Sequence, residues 1–204
     1  MAIQKGAYHH ENLRTAILEE AAAMIAQNGA ASLTMRALGQ RLGVSRGAPY
    51  RHFDDKTALL VAVARAGFDR LNDRLRLVDA GASLSGVERL RHLGEEYVRF
   101  ALENPAHYRL MYGREALTRQ ELPELREAAN ALYEQFVNLI KVHQDSGVIR
   151  RQDPRAQAYV AWSAMHGLAS LLIGGQIQAT DDVDGLIRQT TQTILDGVSV
   201  RRSG

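Results

Sequence analysis

Apolar residues along most of this chain recur at intervals of three and four, the spacing of one helix face, and no stretch alternates convincingly as a strand. Leu13, Ile17, Met24 and Ile25 predict a first helix, which Asn28-Gly29 would end because both residues tolerate a left-handed backbone. A short helix is expected from Thr34 to about Leu42. Asp55 is placed to cap a long helix reaching about Val78, roughly 36 Å at ~1.5 Å per residue.

Start signals continue further along. Ser85-Gly86-Val87-Glu88 fits a capping box ahead of a stripe of Val87, Leu90, Gly94, Tyr97, Val98 and Ala101. Asn104-Pro105 and Asp153-Pro154 each put a capping residue before a proline suited to the first helical position. Pro123 opens a helix with Leu125, Leu132, Phe136 and Ile140 on one side, and residues 183–198 form a final amphipathic helix. The pattern predicts an all-α fold of about nine helices without internal repeats. A small N-terminal domain would cover residues 1–60 and a larger helical domain residues 61–204.

One stretch resists the pattern. GVSRGAPYRHFDDK, residues 43–56, opens with Ser45 in a capping place, yet Gly47 and Pro49, two of the poorest helix formers, follow at once. Before it, Leu38 and Leu42 share an inward face, and Gly39 lies four before Gly43, where crossing helices need a very small side chain. Three short helices with a tight turn at Gly43 outline a helix-turn-helix. A third helix starting at Ser45 would then show its first residues outward. Gly47 would let the backbone approach a duplex, and Pro49, near the fourth helical position, would displace one early backbone bond only. Arg46 and Arg51 supply charge, with Arg46 suited to bidentate contact with a guanine edge. Tyr50, His52 and Lys56 carry donors for phosphates. The competing reading is a three-helix bundle whose third helix is merely solvated, and geometry alone leaves the two level.

Composition changes this picture little, and charge changes it locally. With 204 residues, 46% hydrophobic and 24% charged, the chain has the make-up of a globular protein with a sizeable core. The absence of cysteine excludes disulfides and thiolate metal sites and fits a reducing cytoplasm, the expected location. No segment approaches 18 uncharged apolar residues and no long apolar run follows a basic start, so neither a membrane span nor a signal peptide is expected. The net charge of +2 does not by itself announce nucleic-acid binding. The first 60 residues carry all of it, and five of their seven cations lie between Arg36 and Lys56.

The residues themselves decide between the two readings. SLTMRALGQRLGVSRGAPYRHFDDKTALL, residues 32–60, resembles the DNA-binding segment of the TetR family of bacterial transcriptional regulators. The match lies in a threonine opening the second helix, the Gly-Val-Ser turn, the aromatic-x-His-Phe ending and the Asp-Lys start of the fourth helix. Tyr8-His9-His10-Glu11-Asn12-Leu13-Arg14 also resembles the N-terminal arm of a subset of that family. The resemblance implies that Thr34 and Arg36 touch the DNA backbone, and that Ser45, Arg46, Gly47, Ala48, Tyr50 and His52 line a recognition helix. Phe53 would anchor that helix, and Lys56 would reach a phosphate. Pro49 stands where the family more often has leucine. The resemblance further implies a homodimer on a double-stranded, roughly palindromic operator, a small-molecule effector in the larger domain, and no cofactor.

In that larger domain, residues 156–173 are apolar almost all round, interrupted by Gln157, Ser163, His166 and Ser170. A helix without a polar face is buried on two sides, and a second copy of the chain is the economical partner for the second side. Trp162-Ser163-Ala164-Met165-His166-Gly167 fits a Trp-x-x-x-His-Gly pattern found in one group of TetR-like C-terminal domains. Tyr97, Phe100, Tyr108, Met111, Phe136, Trp162 and His166 are the candidate walls of an effector pocket. The same residues also suit plain core packing around a hydrogen-bonded histidine.

Enzyme signatures fail one by one. GASLSG, residues 81–86, misses the nucleophile-elbow spacing, and no phosphate loop or His-Glu-x-x-His occurs. Asp182, Asp184 and Gly185 suggest a calcium loop, but its first and twelfth positions would be Thr180 and Thr191, neither of them a carboxylate. Glu88, His92 and Glu95 share a helix face able to hold a metal, although solvated charged faces are far commoner. No metal site is expected. The expected function is a repressor answering to a small molecule. An activator, a DNA binder without a small ligand and, last, a small enzyme are the alternatives.

Overall fold

The computed structural model describes residues 3–79, 86–113, 122–178 and 182–199, with side chains from Leu13 onward. Eight α-helices run through them: α1 (Ile3–Ser32), α2 (Met35–Arg41), α3 (Lys56–Asp79), α4 (Gly86–Glu103), α5 (Pro105–Tyr112), α6 (Pro123–Asp145), α7 (Pro154–Ile173) and α8 (Val183–Val198). Between α2 and α3 stands a single 3-10 turn, Pro49–Arg51, where the sequence predicts a third α-helix. The fold is all-α, with one isolated antiparallel bridge, Ile149 to Ser199, among the described residues.

The chain forms two compact units. The first joins Met1–Phe68 to Pro105–Arg126, and the second joins Asp69–Asn104 to Glu127–Gly204. The contact boundary thus falls inside α3, after Phe68, and α5 belongs with the N-terminal unit.

In the first unit, α1 keeps helical geometry until Gly29, whose φ of 76° and ψ of 161° interrupt it at the expected Asn28-Gly29 end. Ile17, Leu33, Leu38, Leu59 and Val63 are fully enclosed in its core. Asp55 caps α3 as expected, its Oδ1 accepting the Ala58 amide at 2.7 Å. Where α3 meets α5, Gly67 leaves no room for a methyl group: a Cβ there would lie 2.6 Å from Met111 Sδ and 3.0 Å from His107 Cβ.

In the second unit, α4 packs on α7 and α8. Gly94, on the predicted α4 stripe, permits the approach, since a Cβ there would lie 2.9 Å from Thr191 Cγ2. Leu90, Val137, Ile140, Ile149, Ala158 and Leu195 form a core between α4, α6, α7 and α8. Asp153 and Asp182 cap α7 and α8, accepting the Arg155 amide at 2.9 Å and the Gly185 amide at 2.7 Å. Asn104 differs from expectation. Its Nδ2 donates back to Phe100 O at 3.0 Å and closes α4 instead of opening α5. The capping box at Ser85 and most of GASLSG lie outside the described residues.

Candidate nucleic-acid interface

Three local devices shape residues 34–53. Thr34 is extended (φ −132°, ψ 145°) and its Oγ1 accepts the Ala37 amide at 3.1 Å, which starts α2. Gly43 takes φ +67°, the left-handed value that a tight turn requires, and Val44 N donates to Gly39 O at 3.0 Å to close it. The third device is Pro49. Ser45 O accepts from Ala48 N, three residues on, at 2.9 Å. An α-helix would use the amide of residue 49, and proline has none. Arg51 N to Ala48 O (3.2 Å) and His52 N to Pro49 O (3.1 Å) continue the tighter pattern. The expected recognition helix is therefore a turn followed by one 3-10 turn.

Pro49 also has a positive role, because it is buried against α2. A Cβ at Gly39 would lie 3.5 Å from Pro49 Cγ and 3.4 Å from Ser45 O, ordinary to slightly tight contact. Gly39 and Pro49 thus fit as a pair. The ring stops at van der Waals distance from a Cβ at Gly39, which leaves room for a methyl group.

The display that results is uneven. Thr34, Arg36, Ser45, Arg46, Gly47 and Arg51 are exposed, and so is Tyr50 at 54%. Ala48 is not on that surface, contrary to expectation; it is 7% exposed and turns inward beside Pro49. His52 is half-buried. Lys56 is half-buried too, and its Nζ donates to Ala31 O at 3.0 Å, which ties the end of α1 to the start of α3. Phe53 anchors the segment as expected, buried beneath the Arg14 guanidinium, which lies 5.2 Å from its ring centre. Arg41 pairs with Glu20 at 2.5 Å and reaches Gln27 Oε1 at 3.1 Å, so its charge is held within the fold. Arg51 stands beside Tyr50 in the same exposed turn; its charge alone signalled it in the sequence.

The seven candidate effector residues divide between the units. Tyr108 and Met111 are buried on α5 in the first unit. Tyr97, Phe100, Phe136, Trp162 and His166 lie in the second. There the Trp162 indole donates to the Tyr97 hydroxyl at 2.9 Å, and His166 Nδ1 lies 3.4 Å from the same oxygen. The Trp162 and His166 rings are 5.4 Å apart, and Phe136 meets Tyr97 edge-on at 6.2 Å. These polar groups satisfy one another. The α4 acids behave similarly: Glu95, 2% exposed, pairs with Arg91 at 2.7 Å and Arg99 at 3.5 Å, so guanidinium groups meet its charge. Among the described residues no cluster of three metal-ligating side chains occurs.

Comparison with known proteins fits this arrangement to a family. The profile of the tetracyclin repressor-like C-terminal domain matches residues 90–194, and that of bacterial regulatory proteins of the tetR family matches residues 17–63. The chain belongs to the TetR family. That family is one of bacterial regulatory proteins. This TetR-family regulator is 33% identical over 130 residues to the nucleoid occlusion factor SlmA of Vibrio vulnificus, a match covering 61% of this chain and 63% of the relative. It is also 33% identical over 109 residues to the HTH-type transcriptional repressor AcnR of Corynebacterium glutamicum, over 53% of this chain and 50% of that one. The chain thus spans between about half and two thirds of these curated relatives. Among solved structures, a protein of unknown function from Rhodococcus sp. RHA1 superposes with a TM-score of 0.77 at 30% identity, over 92% of this chain and 96% of that one. The ketosteroid transcriptional regulator KstR2 of Mycobacterium tuberculosis gives 0.69 at 21% identity, over 92% and 95%. No helix among the described residues is long and apolar enough to cross a membrane.

Proposed function

We propose that this TetR-family regulator acts in the cytoplasm as a homodimeric repressor that binds a roughly palindromic operator and answers to a small-molecule effector. The observation that carries the proposal is the exposed segment from Ser45 to Arg51, held to α2 by the buried Pro49 against Gly39. Residues 1–60 serve as the DNA-binding domain and residues 61–204 bind effector and partner. Arg46 reads a guanine edge, and Gly47 permits close backbone approach. Thr34, Arg36, Ser45, Tyr50 and His52 contact backbone and groove. Lys56 acts through α1 and reaches a phosphate only by leaving Ala31 O. For the partner, α7 keeps Tyr159, Val160 and Leu171 at 51%, 62% and 43% exposure although most of its sequence is apolar. A second copy of α7 and α8 would cover them. The naming of AcnR as a repressor favours repression over activation.

The test is operator affinity of Arg46→Ala, measured by fluorescence anisotropy on a selected operator and on the same site with each guanine replaced. A loss of about 1–3 kcal/mol with relaxed preference at one position is expected. Unchanged affinity and preference would remove Arg46 from the reading surface.

A further inference from the structure

The second unit carries a groove of about 380 Å³ that the Tyr97–Trp162–His166 cluster does not form. Its apolar wall comes from Leu75, Leu93, Leu132, Phe136, Leu139 and Val142, on α3, α4 and α6. Two cations, Arg76 and Arg89, line it against one acid, Asp79. The lining therefore carries one excess positive charge.

Arg89 is the informative residue. Among the described residues its Nε is buried without a hydrogen-bond acceptor, and the nearest carboxylate oxygen, on Asp79, stands 3.9 Å from Nη1. That distance permits attraction and exceeds a hydrogen bond. Its side chain is nevertheless 30% exposed. By contrast, Arg74 and Arg91, on the same two helices, meet carboxylates at 2.5 and 2.7 Å. A guanidinium pre-placed at an apolar wall, with its own acid out of hydrogen-bond reach, is matched by an anion attached to an apolar body.

We infer that this groove binds a small monoanionic amphiphile, a carboxylate with an aliphatic or alicyclic body, its headgroup on Arg89 and its body along Leu93, Leu132, Phe136 and Val142. The inference rests on the proposed effector response and gives the effector a site and a chemical class. Arg76 adds long-range attraction. Asp79 competes with the ligand for Arg89, so removing its charge strengthens binding.

The experiment is calorimetric titration of the full chain with decanoate, decanol and decyltrimethylammonium below their micellar concentrations. Wild type should bind decanoate at least tenfold more tightly than either of the others. Arg89→Gln should lose about tenfold for decanoate and leave decanol unchanged. Asp79→Asn, at an exposed position, should gain severalfold, so the expected signs differ between two variants of the same pair. Equal decanoate affinity in wild type and Arg89→Gln, or decanol binding as well as decanoate, would overturn the inference. Operator occupancy with decanoate present separates the two layers. Binding through Arg89 without any change in occupancy would keep the ligand class and sink the effector reading. An effector that shifts occupancy equally in wild type and Arg89→Gln would do the reverse.

Discussion

Pro49 packs against α2 at Gly39, and its ring limits how large a side chain that position accepts. Without an amide, Pro49 leaves Ser45 O to Ala48 N, and the segment tightens into a 3-10 turn that directs Arg46, Tyr50 and Arg51 outward and Ala48 inward. Pro49→Leu would restore the amide and let the segment wind as an α-helix, changing which side chains face a groove. The expected outcome is a shifted base preference at positions neighbouring the Arg46 contact, with folding retained. A base preference identical to wild type would contradict it. Gly39 offers a graded check on the same packing. Gly39→Ala meets its neighbours at 3.4–3.6 Å and gains helix propensity, so thermal stability should stay within about 1 kcal/mol. Gly39→Val should cost about 1–3 kcal/mol by overpacking. The sequence led to the expectation that only a very small side chain fits at Gly39, whereas a methyl group fits there. The neighbour of Gly39 was hidden, because a proline read from propensity alone shows only what it breaks.

At the scale of elements, periodicity located nearly every helix and placed the α3 end within one residue, at Asp79 against Val78. It did not say which neighbour a face meets. Tyr97 and Tyr108 have the same apolar aromatic character, yet Asn104 closes α4 between them, and α5 packs into the first unit while α4 packs into the second. Charges along α4 read from the sequence as a solvated face or, less commonly, a metal-holding one. Glu95 pairs within the helix, with Arg91 and Arg99, but other pairs use residues far off in the chain: Arg74 on α3 joins Glu96 and Glu103, and Asp184 on α8 joins Arg99. The hydrogen bond from Arg74 holds the Glu103 carboxyl below its ordinary range, ahead of the opposing effect of partial burial. A carboxyl depressed in the folded state stabilises above its unfolded pKa, and that contribution disappears as pH falls through the folded value. Glu103→Gln should therefore melt a few degrees below wild type at pH 7, in keeping with a pair worth at most about 1 kcal/mol. The gap should close on acidification below pH ~4. A gap independent of pH would assign the effect to packing.

At the scale of the whole molecule, the apolar α7 sequence predicts burial on two sides, and one side stands open in a single chain, with Tyr159, Val160 and Leu171 uncovered. That is the face a second copy would cover. Sedimentation at micromolar concentration should give a dimer, and Val160→Glu should shift it toward monomer and weaken operator binding together, because each half-site contact depends on the other. A monomeric wild type would remove the partner surface. Operator recognition is read most directly by selecting bound sequences from a random double-stranded DNA pool with the full chain. The expected result is enrichment of one inverted repeat whose half-sites present successive major grooves, about 34–36 Å apart, with a G·C pair in each that Arg46→Ala no longer requires. Recovery of unenriched DNA, or of a motif without two-fold symmetry and indifferent to Arg46, would contradict it.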